Sequence, residues 1–280
     1  MKQLIDCHTH TKFSPDGKNT VMEMCERAAA MGLQAYGISD HCECNRYYGS
    51  EYYTMKPKEF DTYHSDTLSQ ASMDAVCRAK RQMEGRLKIL CGTELGQPTF
   101  DLKVAENVAA DPRLDYVIGS MHQVPGIDDF CFLTYETEDT DRLLEQYFEE
   151  VLKMCKWGKF NILAHLTYPL RYIKGIYKIP VNIFLYEDMI EMCFKSIIEQ
   201  GIALEVNSSG LRQPYGDLFP GYRLIRRYRE LGGAFVSLGS DAHSADFLGF
   251  GINAAAEMAK TAGIRYLVYF EERSPHMVTL

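Results

Sequence analysis

The chain has 280 residues, 46% of them hydrophobic, and a formal net charge of -8 with an isoelectric point near 5.5. This length and apolar content can bury a sizeable core, in one large domain or two small ones. The acidic balance argues against nucleic-acid-binding and membrane-surface proteins, which usually carry net or clustered positive charge. Bound divalent cations would neutralise part of the acidity.

The amino-terminal residues and the cysteines indicate a cytoplasmic protein. Residues 1–6 lead directly into polar residues, without the apolar stretch of an export signal. No segment approaches about 18 uninterrupted apolar residues, so we expect no membrane span. Nine scattered cysteines are typical of reduced thiols. Cys42 and Cys44 could form half of a soft metal site, but the chain has no second such pair, which favours reduced thiols there too.

Seven short apolar runs predict the strands of the fold. They lie at residue 5 and at residues 36–39, 89–90, 117–118, 162–164, 203–206 and 236–238. Each run leads into polar residues; six of these ends carry a histidine or carboxylate, and the end after 203–206 is Asn207. Six of the eight histidines therefore occupy one structural position, just past a strand, where α/β barrels build their active sites.

Stretches with helical periodicity separate these runs. Thr20 and Glu23 form a capping-box signature for a helix through Met31, which Gly32 then ends. Further helices are predicted at about residues 57–83, 101–109, 139–157, 182–200, 222–231 and 252–262. A strand followed by a helix, repeated about seven times, predicts parallel βαβ units. Because no linker or composition break divides the chain, we expect one domain over residues 1–280.

Two irregular stretches, residues 42–56 and 166–180, follow strand ends that carry candidate ligands. Loops at these positions would cover the site and select the substrate. The tyrosines of the first stretch are equally compatible with surface packing.

Two short motifs have the spacing of metal ligands. His8 and His10 are two residues apart, so at a strand end both imidazoles point to one face and can reach one ion at about 2.0–2.1 Å. Asp241 and His243 repeat this spacing after the last predicted strand. A single histidine is more often a polar core residue, but equivalent positions on six strands predict a metal site. The candidate ligands are His8, His10, Asp16, His41, Glu94, His122, His165, Asp241 and His243.

The number of donors predicts more than one ion. A catalytic zinc site uses about three protein ligands and a water, so nine candidates suffice for three ions if a carboxylate bridges two of them. Glu94 is the expected bridge, because it is the only carboxylate of the set on a middle strand. Ions about 3.5–4 Å apart suit hydrolysis of a phosphate ester, since they acidify water, hold the phosphoryl oxygens and stabilise the leaving alkoxide.

These motifs and their order resemble the PHP (polymerase and histidinol phosphatase) superfamily. Its pattern is an opening H-x-H, a strand-end acidic residue with histidine, a glutamate, two single histidines and a closing D-x-H, and the match spans His8 to His243. Segments resembling the histidinol-phosphatase branch lie at residues 119–122, 165–169, 205–212, 249–251, 262–267 and 269–273.

The resemblance implies a distorted (β/α)7 barrel, similar to a TIM barrel, with a trinuclear site at the C-terminal ends of the strands. It assigns the first ion to His8, His10, Glu94 and Asp241, the second to Glu94, His122 and His165, and the third to Asp16, His41 and His243. Asp40 would orient ligands or water. Many relatives carry histidine at the position of Asp16, so the third site departs from a common pattern. Imidazole and carboxylate donors suit zinc, manganese or iron.

Residues beside this site could bind the substrate. Arg171 and Arg212 follow strand ends on the same rim, where a guanidinium can grip two phosphoryl oxygens; a rim salt bridge is the alternative for each. Asp128 and Asp129, in the loop after His122, are candidates for binding the substrate's amino and imidazole groups.

The resemblance implies a metal-dependent phosphomonoesterase, in particular L-histidinol-phosphate phosphatase of histidine biosynthesis. The expected mechanism is in-line attack by a metal-bridging hydroxide, without a phosphoenzyme. The expected partner is a small phosphate ester, with no nucleic acid and no membrane, and the oligomeric state stays open.

Three alternatives differ in what they require of the sequence. A related phosphoesterase acting on nucleotides or nucleic-acid ends would need a basic groove, whereas acidic residues outnumber basic ones, 38 to 30. An amidohydrolase or TatD-like deoxyribonuclease also opens with H-x-H, but does not usually supply Asp40, His41 and the closing His243. A non-catalytic metal-binding module on the same scaffold could lose ligands freely, whereas here the donor set is complete.

Overall fold

The computed structural model describes residues 4–44 and 65–280. Within these residues the strands are β1 (Ile5–Asp6), β2 (Ala35–Ile38), β3 (His41–Glu43), β4 (Ile89–Gly96), β5 (Tyr116–Ser120), β6 (Ile162–Leu163), β7 (Ala203–Asn207), β8 (Val236–Gly239), β9 (Tyr266–Glu271) and β10 (Ser274–Thr279). The α-helices are α1 (Val21–Met31), α2 (Ser65–Gln82), α3 (Leu102–Ala109), α4 (Thr140–Trp157), α5 (Glu187–Gln200), α6 (Tyr222–Glu230) and α7 (Ile252–Thr261).

One mostly parallel sheet carries these elements. Its strand order is β1-β2-β4-β5-β6-β7-β8-β9-β10, and β3 pairs with β4 beyond the point where β2 stops. Among the described strands only β9 and β10 pair antiparallel. The prediction of parallel βαβ units in an α/β fold is therefore confirmed.

Strand β1, at one end of the sheet, approaches β8. The order of paired strands is an open path from β1 to β10. The residues after β1 nevertheless bond to β8 and to the residues that follow it: Cys7 N–H donates to Leu238 O at 2.8 Å, and His10 N–H to Ala242 O at 2.9 Å. These bonds place the residues after β1 beside β8 and its carboxyl end.

Helix termini follow the local sequence signals. The Thr20 hydroxyl accepts from Glu23 N–H at 3.3 Å, the Glu23 carboxylate accepts from Thr20 N–H at 2.7 Å, and Gly32 ends α1 with a φ of 71°. Asp101 caps α3 and Asp139 caps α4 in the same way, through their side-chain oxygens.

Three details of the sequence prediction need correction. The strands β3, β9 and β10 were not predicted, because β3 is only three residues long and β9 and β10 follow the last candidate ligand. The helix predicted at 182–200 begins as a 3₁₀ turn, Ile183–Tyr186, and becomes α-helical only at Glu187. The irregular stretch 166–180 contains a π-helix, Arg171–Ile176. Residues 57–64 of a predicted helix and 45–56 of a predicted loop lie outside the described residues.

Tyr116 is part of the core beneath the carboxyl ends of the strands. Tyr116 is fully buried, and its hydroxyl donates to Cys7 O at 2.7 Å. Gly37 and Gly92 make room for its ring, since an added Cβ would lie 2.1 Å and 2.3 Å from Tyr116 atoms. A close-packed floor of this kind restricts the side chains above it to few arrangements. Over the described residues, none of the helices has both the length and the apolar composition needed to cross a bilayer.

Candidate metal centre

Eight of the nine predicted ligands converge at the carboxyl ends of the strands. Glu94 and His41 lie within β4 and β3, and the other six follow β1, β5, β6 and β8. Most of these side chains are almost completely withdrawn from solvent: His8, His10, Glu94, His122, His165 and Asp241 are each at most 5% exposed.

Glu94 lies at the middle of the group. Its Oε2 atom is 3.2 Å from His8 Nε2, 3.4 Å from His10 Nε2 and 2.9 Å from His41 Nδ1. Its Oε1 atom is 3.1 Å from His122 Nε2 and 3.0 Å from His165 Nε2. The two oxygens of one carboxylate thus face two different sets of imidazoles, which is the arrangement that a bridging ligand needs.

Four overlapping groups of ligand atoms are compact enough to hold an ion, with all their atoms within 4.8 Å of one another. The groups are His8, His10 and Glu94; Glu94, His122 and His165; His10, His41 and His243; and His41, Glu43 and His122. The first two are the predicted cores of the first and second metal sites, without Asp241.

The polar atoms left unsatisfied in this cluster fit divalent cations. His8 Nε2, His10 Nε2 and Glu94 Oε2 are buried and have no hydrogen bond. Each such atom costs about 1–3 kcal/mol if nothing binds it, and here they point to one place. Neutral imidazole and carboxylate are ligands for zinc, manganese or iron.

The electrostatics differ between the rings of the cluster. Burial lowers the pKa of His10 well below its ordinary value, and the neighbouring imidazoles of His243 and His41 lower it further. Burial likewise lowers the pKa of His165. Burial raises the pKa of Glu94, but the surrounding imidazoles, led by His8, outweigh it and bring this pKa well below the usual range. Burial also acts on His8, His41 and His122, but there the neighbouring carboxylates outweigh it and raise the pKa, to about 10 for His122. Glu94 therefore stays ionised, His10 and His165 stay neutral, and the other three rings form charged pairs with the carboxylates.

Asp16 lies at the edge of the cluster. Its Oδ2 atom is 3.2 Å from His243 Nε2, but its side chain is 63% exposed and belongs to none of the four groups. The third group is made of imidazoles whose rings stack, with centroids 4.1 Å apart for His10 and His243 and 4.3 Å apart for His10 and His41.

Asp40 lies behind the cluster rather than in it. Its carboxylate accepts hydrogen bonds from Thr11 N–H at 2.6 Å, from the Ser14 hydroxyl at 2.7 Å and from the Ser72 hydroxyl at 2.6 Å. Ser14 Oγ is in turn 3.1 Å from His10 Nδ1. This chain puts Asp40 one hydroxyl away from a candidate ligand, where it can orient the ring.

Two buried carboxylates beside the candidate ligands were missed by the sequence analysis. Glu43 Oε1 is 3.1 Å from His122 Nδ1, and Glu205 Oε1 is 2.7 Å from His8 Nδ1. Burial raises the pKa of Glu43, but His122 and His41 lower it further, to about 2. Signals for both were present: Glu43 shares a strand face with His41, two residues earlier, and Glu205 lies inside a predicted strand, where only the strand end was considered.

A cavity of about 130 Å³ opens onto the cluster. Arg171, at the start of the π-helix, lines it and donates from Nη2 to Asp241 Oδ2 at 2.9 Å and to Ser209 Oγ at 2.8 Å. Its Nε atom is buried without a hydrogen bond. The lining residues are Asp16, His41, Glu43, Glu94, His122, Asp129, Cys131, His165, Tyr168, Arg171, Tyr172, Asp241 and His243.

The other predicted substrate contacts divide between this cavity and its surroundings. Asp129 lines the cavity, whereas Asp128 does not. Arg212 is not a lining residue: its Nη1 and Nη2 atoms donate to Ser240 O and Asp241 O, both at 2.5 Å. Those carbonyls belong to a turn in which Asp241 has a φ of 54°, so Arg212 supports an uncommon backbone conformation at a candidate ligand.

Comparison with known proteins gives consistent relatives. The chain is 27% identical to a probable histidinol-phosphatase of Clostridium acetobutylicum over 96% of this chain and 98% of that protein. It is 28% identical to a probable histidinol-phosphatase of Thermotoga maritima over 94% of each. Among solved structures, histidinol phosphate phosphatase of Lactococcus lactis, complexed with zinc, L-histidinol and phosphate, is 22% identical and superposes with a TM-score of 0.80 over 99% of this chain and 100% of that one.

A family match agrees with these relatives. The sequence profile of the PHP domain family matches residues 6–209, which contain His8, Glu94 and His165 and make up well over half of the chain. The protein belongs to the PHP domain family.

Proposed function

We propose that this protein is a metal-dependent phosphomonoesterase that hydrolyses L-histidinol phosphate to L-histidinol and phosphate. The observation that carries the proposal is the cluster of imidazoles around both oxygens of Glu94, next to a cavity that a partly buried arginine lines. The relatives matched along nearly their whole length are named histidinol-phosphatases, and the superposed Lactococcus lactis enzyme holds zinc, L-histidinol and phosphate.

Three divalent ions are part of this proposal, with zinc, manganese and iron as candidates. His8, His10, Glu94 and Asp241 would hold the first ion, Glu94, His122 and His165 the second, and Asp16, His41 and His243 the third. Such ions supply charge that polarises the phosphoryl group and acidifies the attacking water. The protein holds the rings in place from behind, through Ser14 and Asp40 on His10.

Arg171 is the proposed phosphate ligand. Its guanidinium is held between Asp241 and the Tyr168 ring, 5.0 Å from the ring centroid, so its direction is fixed before substrate binds. The unbonded Nε–H is available to a phosphoryl oxygen. Both terminal nitrogens of Arg212 already donate to backbone oxygens. Its predicted contact with phosphate therefore stays a prediction.

Asp129 is the proposed contact for the cationic part of the substrate. Burial raises the pKa of its carboxyl. An ammonium or imidazolium bound beside it would stabilise the ionised carboxylate and would itself be stabilised by that negative charge. Tyr168 Oη lies 3.4 Å from Asp129 Oδ1 and 3.0 Å from Tyr172 Oη. Asp129→Asn should raise KM for histidinol phosphate and leave KM for phenyl phosphate unchanged; equal effects on both esters would exclude this contact.

A phosphate-release assay on a substrate panel tests the function as a whole. Histidinol phosphate, nucleotides and 3′-phosphorylated DNA are compared at equal concentration, before and after metal removal by a chelator. We expect preference for histidinol phosphate, loss of turnover without metal, and recovery on adding zinc or manganese. Preference for DNA ends would favour the alternative PHP phosphoesterase, and full activity of metal-free protein would exclude both.

We further propose that the sheet is closed into a distorted (β/α)7 barrel of a single domain spanning residues 1–280, in a cytoplasmic protein. The bonds from Cys7 N–H to Leu238 O and from His10 N–H to Ala242 O support closure between β1 and β8. The common hydrophobic core of the described residues supports a single domain.

A further inference from the structure

Glu43 and Glu205 lie outside the predicted ligand set. Each nevertheless contacts one ring nitrogen of a candidate ligand, the nitrogen that faces away from Glu94. We propose that Glu43 and Glu205 are positioning residues that fix which nitrogen of His122 and of His8 is presented for metal binding. The proposal rests on the metal-binding role described above and adds two residues that act through its ligands.

Glu205 connects the first and second metal sites. It is 1% exposed; its Oε1 atom lies 2.7 Å from His8 Nδ1, and its Oε2 atom accepts from His165 N–H at 2.7 Å. Because a carboxylate only accepts hydrogen bonds, the proton of His8 must stay on Nδ1. The other ring nitrogen, 3.2 Å from Glu94 Oε2, is then the one with a lone pair for an ion.

Glu43 does the same for His122. Its Oε1 atom lies 3.1 Å from His122 Nδ1, while His122 Nε2 lies 3.1 Å from Glu94 Oε1. Its Oε2 atom accepts from Gln97 Nε2 at 2.7 Å, and Gln97 Oε1 accepts from His122 N–H at 3.2 Å. The ring and the backbone of His122 are therefore held by one connected pair of side chains.

Two glycines leave space for these carboxylates. A Cβ atom at Gly96, the strand partner of Glu43, would lie 2.0 Å from Glu43 Oε2. A Cβ atom at Gly239 would lie 2.2 Å from Glu205 Oε1 and 2.5 Å from the Cβ of His8. Since neither glycine has a left-handed φ, what each position requires is room rather than backbone freedom.

A direct ligand role is the alternative for Glu43, since it forms a compact group with His41 and His122. The two roles differ in their effect on metal content. Loss of a ligand removes an ion even at high metal concentration. Loss of an orienting partner lowers metal affinity by about 10–100-fold, but the site still fills at high metal concentration.

Zinc binding to the purified metal-free protein separates these roles. Affinity is measured by competition with a chromophoric chelator, and zinc per chain is measured at saturation, for wild type, Glu43→Gln and Glu205→Gln. Asp115→Asn is the matched control, because Asp115 is also a buried carboxylate but lies at the opposite, amino-terminal end of the strands. We expect affinity to fall about 10–100-fold in the first two variants, with unchanged zinc at saturation, and no change in the control. Affinity within about twofold of wild type, or an ion lost at saturation, overturns the positioning role of that residue.

Gly96→Ala provides an independent variant that keeps both carboxylates. If it acts by displacing Glu43, it should lower zinc affinity in the wild-type background and add nothing in a Glu43→Ala background, because effects on one contact are not additive. Long-range proton–nitrogen NMR of the zinc-loaded protein should show the proton of His8 and His122 on Nδ1, and a proton on Nε2 of either ring would contradict the proposal.

These measurements need no substrate. A wild-type chain that binds zinc as described but releases no phosphate from histidinol phosphate would exclude the proposed function and leave the positioning role standing. A wild-type chain that binds no zinc would exclude both.

Discussion

A buried carboxylate lies near each end of strand β4, and the two differ in how their oxygens are hydrogen-bonded. At the amino end lies Asp115, the residue just before β5. Its carboxylate accepts from Cys91 N–H and from Lys80 Nζ, both at 2.7 Å, and from Glu272 N–H at 3.1 Å. At the carboxyl end, Glu94 is surrounded by imidazoles, and its Oε2 atom has no hydrogen bond.

The difference separates stability from function at the two ends of one strand. Asp115 has its hydrogen-bonding capacity filled from within the protein, as a buried structural carboxylate should. Glu94 and the rings around it form a set of buried donors whose remaining capacity a divalent ion can fill. Variants at the two ends should therefore have different consequences.

The largest effect is expected from Glu94→Gln. An amide cannot bridge two ions with two anionic oxygens, so at least two sites should weaken at once, and kcat should fall on the order of 10³-fold. Metal per chain and phosphate release measured together check this. Unchanged metal content would exclude the bridging role.

Asp115→Asn should have the reverse profile. Losing the charge opposite Lys80 should lower the free energy of unfolding by about 2 kcal/mol, while kcat and metal content stay at wild-type values. Denaturant unfolding and a standard activity assay are sufficient. A large drop in kcat at undiminished stability would show that the two ends of β4 are not independent.

Arg171→Lys should raise KM for histidinol phosphate about tenfold, because an ammonium cannot reproduce the fork of a guanidinium, and kcat should change less. Arg212→Lys is the matched comparison, since its described bonds go to backbone oxygens. We expect Arg212→Lys to lower thermal stability more than it changes KM. An equal increase in KM for both variants would place Arg212 on the phosphate as well.

Thr20→Ala should have the smallest effect. It removes the capping residue of α1, which is not a lining residue of the cavity, and should cost about 1 kcal/mol of stability without changing kcat or KM. A thermal melt and steady-state kinetics check this, and any change in KM would mean that α1 is coupled to the site.

Features set by neighbouring residues could be predicted from the sequence. The ends of α1, α3 and α4 follow from side chains within three residues of each cap, and the parallel sheet follows from apolar runs that alternate with helical periodicity. The candidate ligands other than Asp16 were found because each follows such a run, and the structure brings these eight together.

Features set by long-range pairing could not be predicted in this way. Glu43 meets His122 only because β3 adds to β4, and Glu205 meets a histidine 197 residues away. Arg212 follows a strand end as predicted, but the direction of its nitrogens depends on a turn around Asp241 that no local signal specifies. Asp128 and Asp129 are adjacent in sequence, and only the fold of their loop decides that Asp129 alone lines the cavity.

Elemental analysis of wild type and Glu94→Gln, both loaded with zinc and then separated from unbound zinc, tests the central claim most directly. The account predicts about three ions per wild-type chain and a loss of at least one on replacing Glu94, with phosphate release falling in parallel. Wild-type chains that turn over histidinol phosphate while containing no transition metal would contradict it.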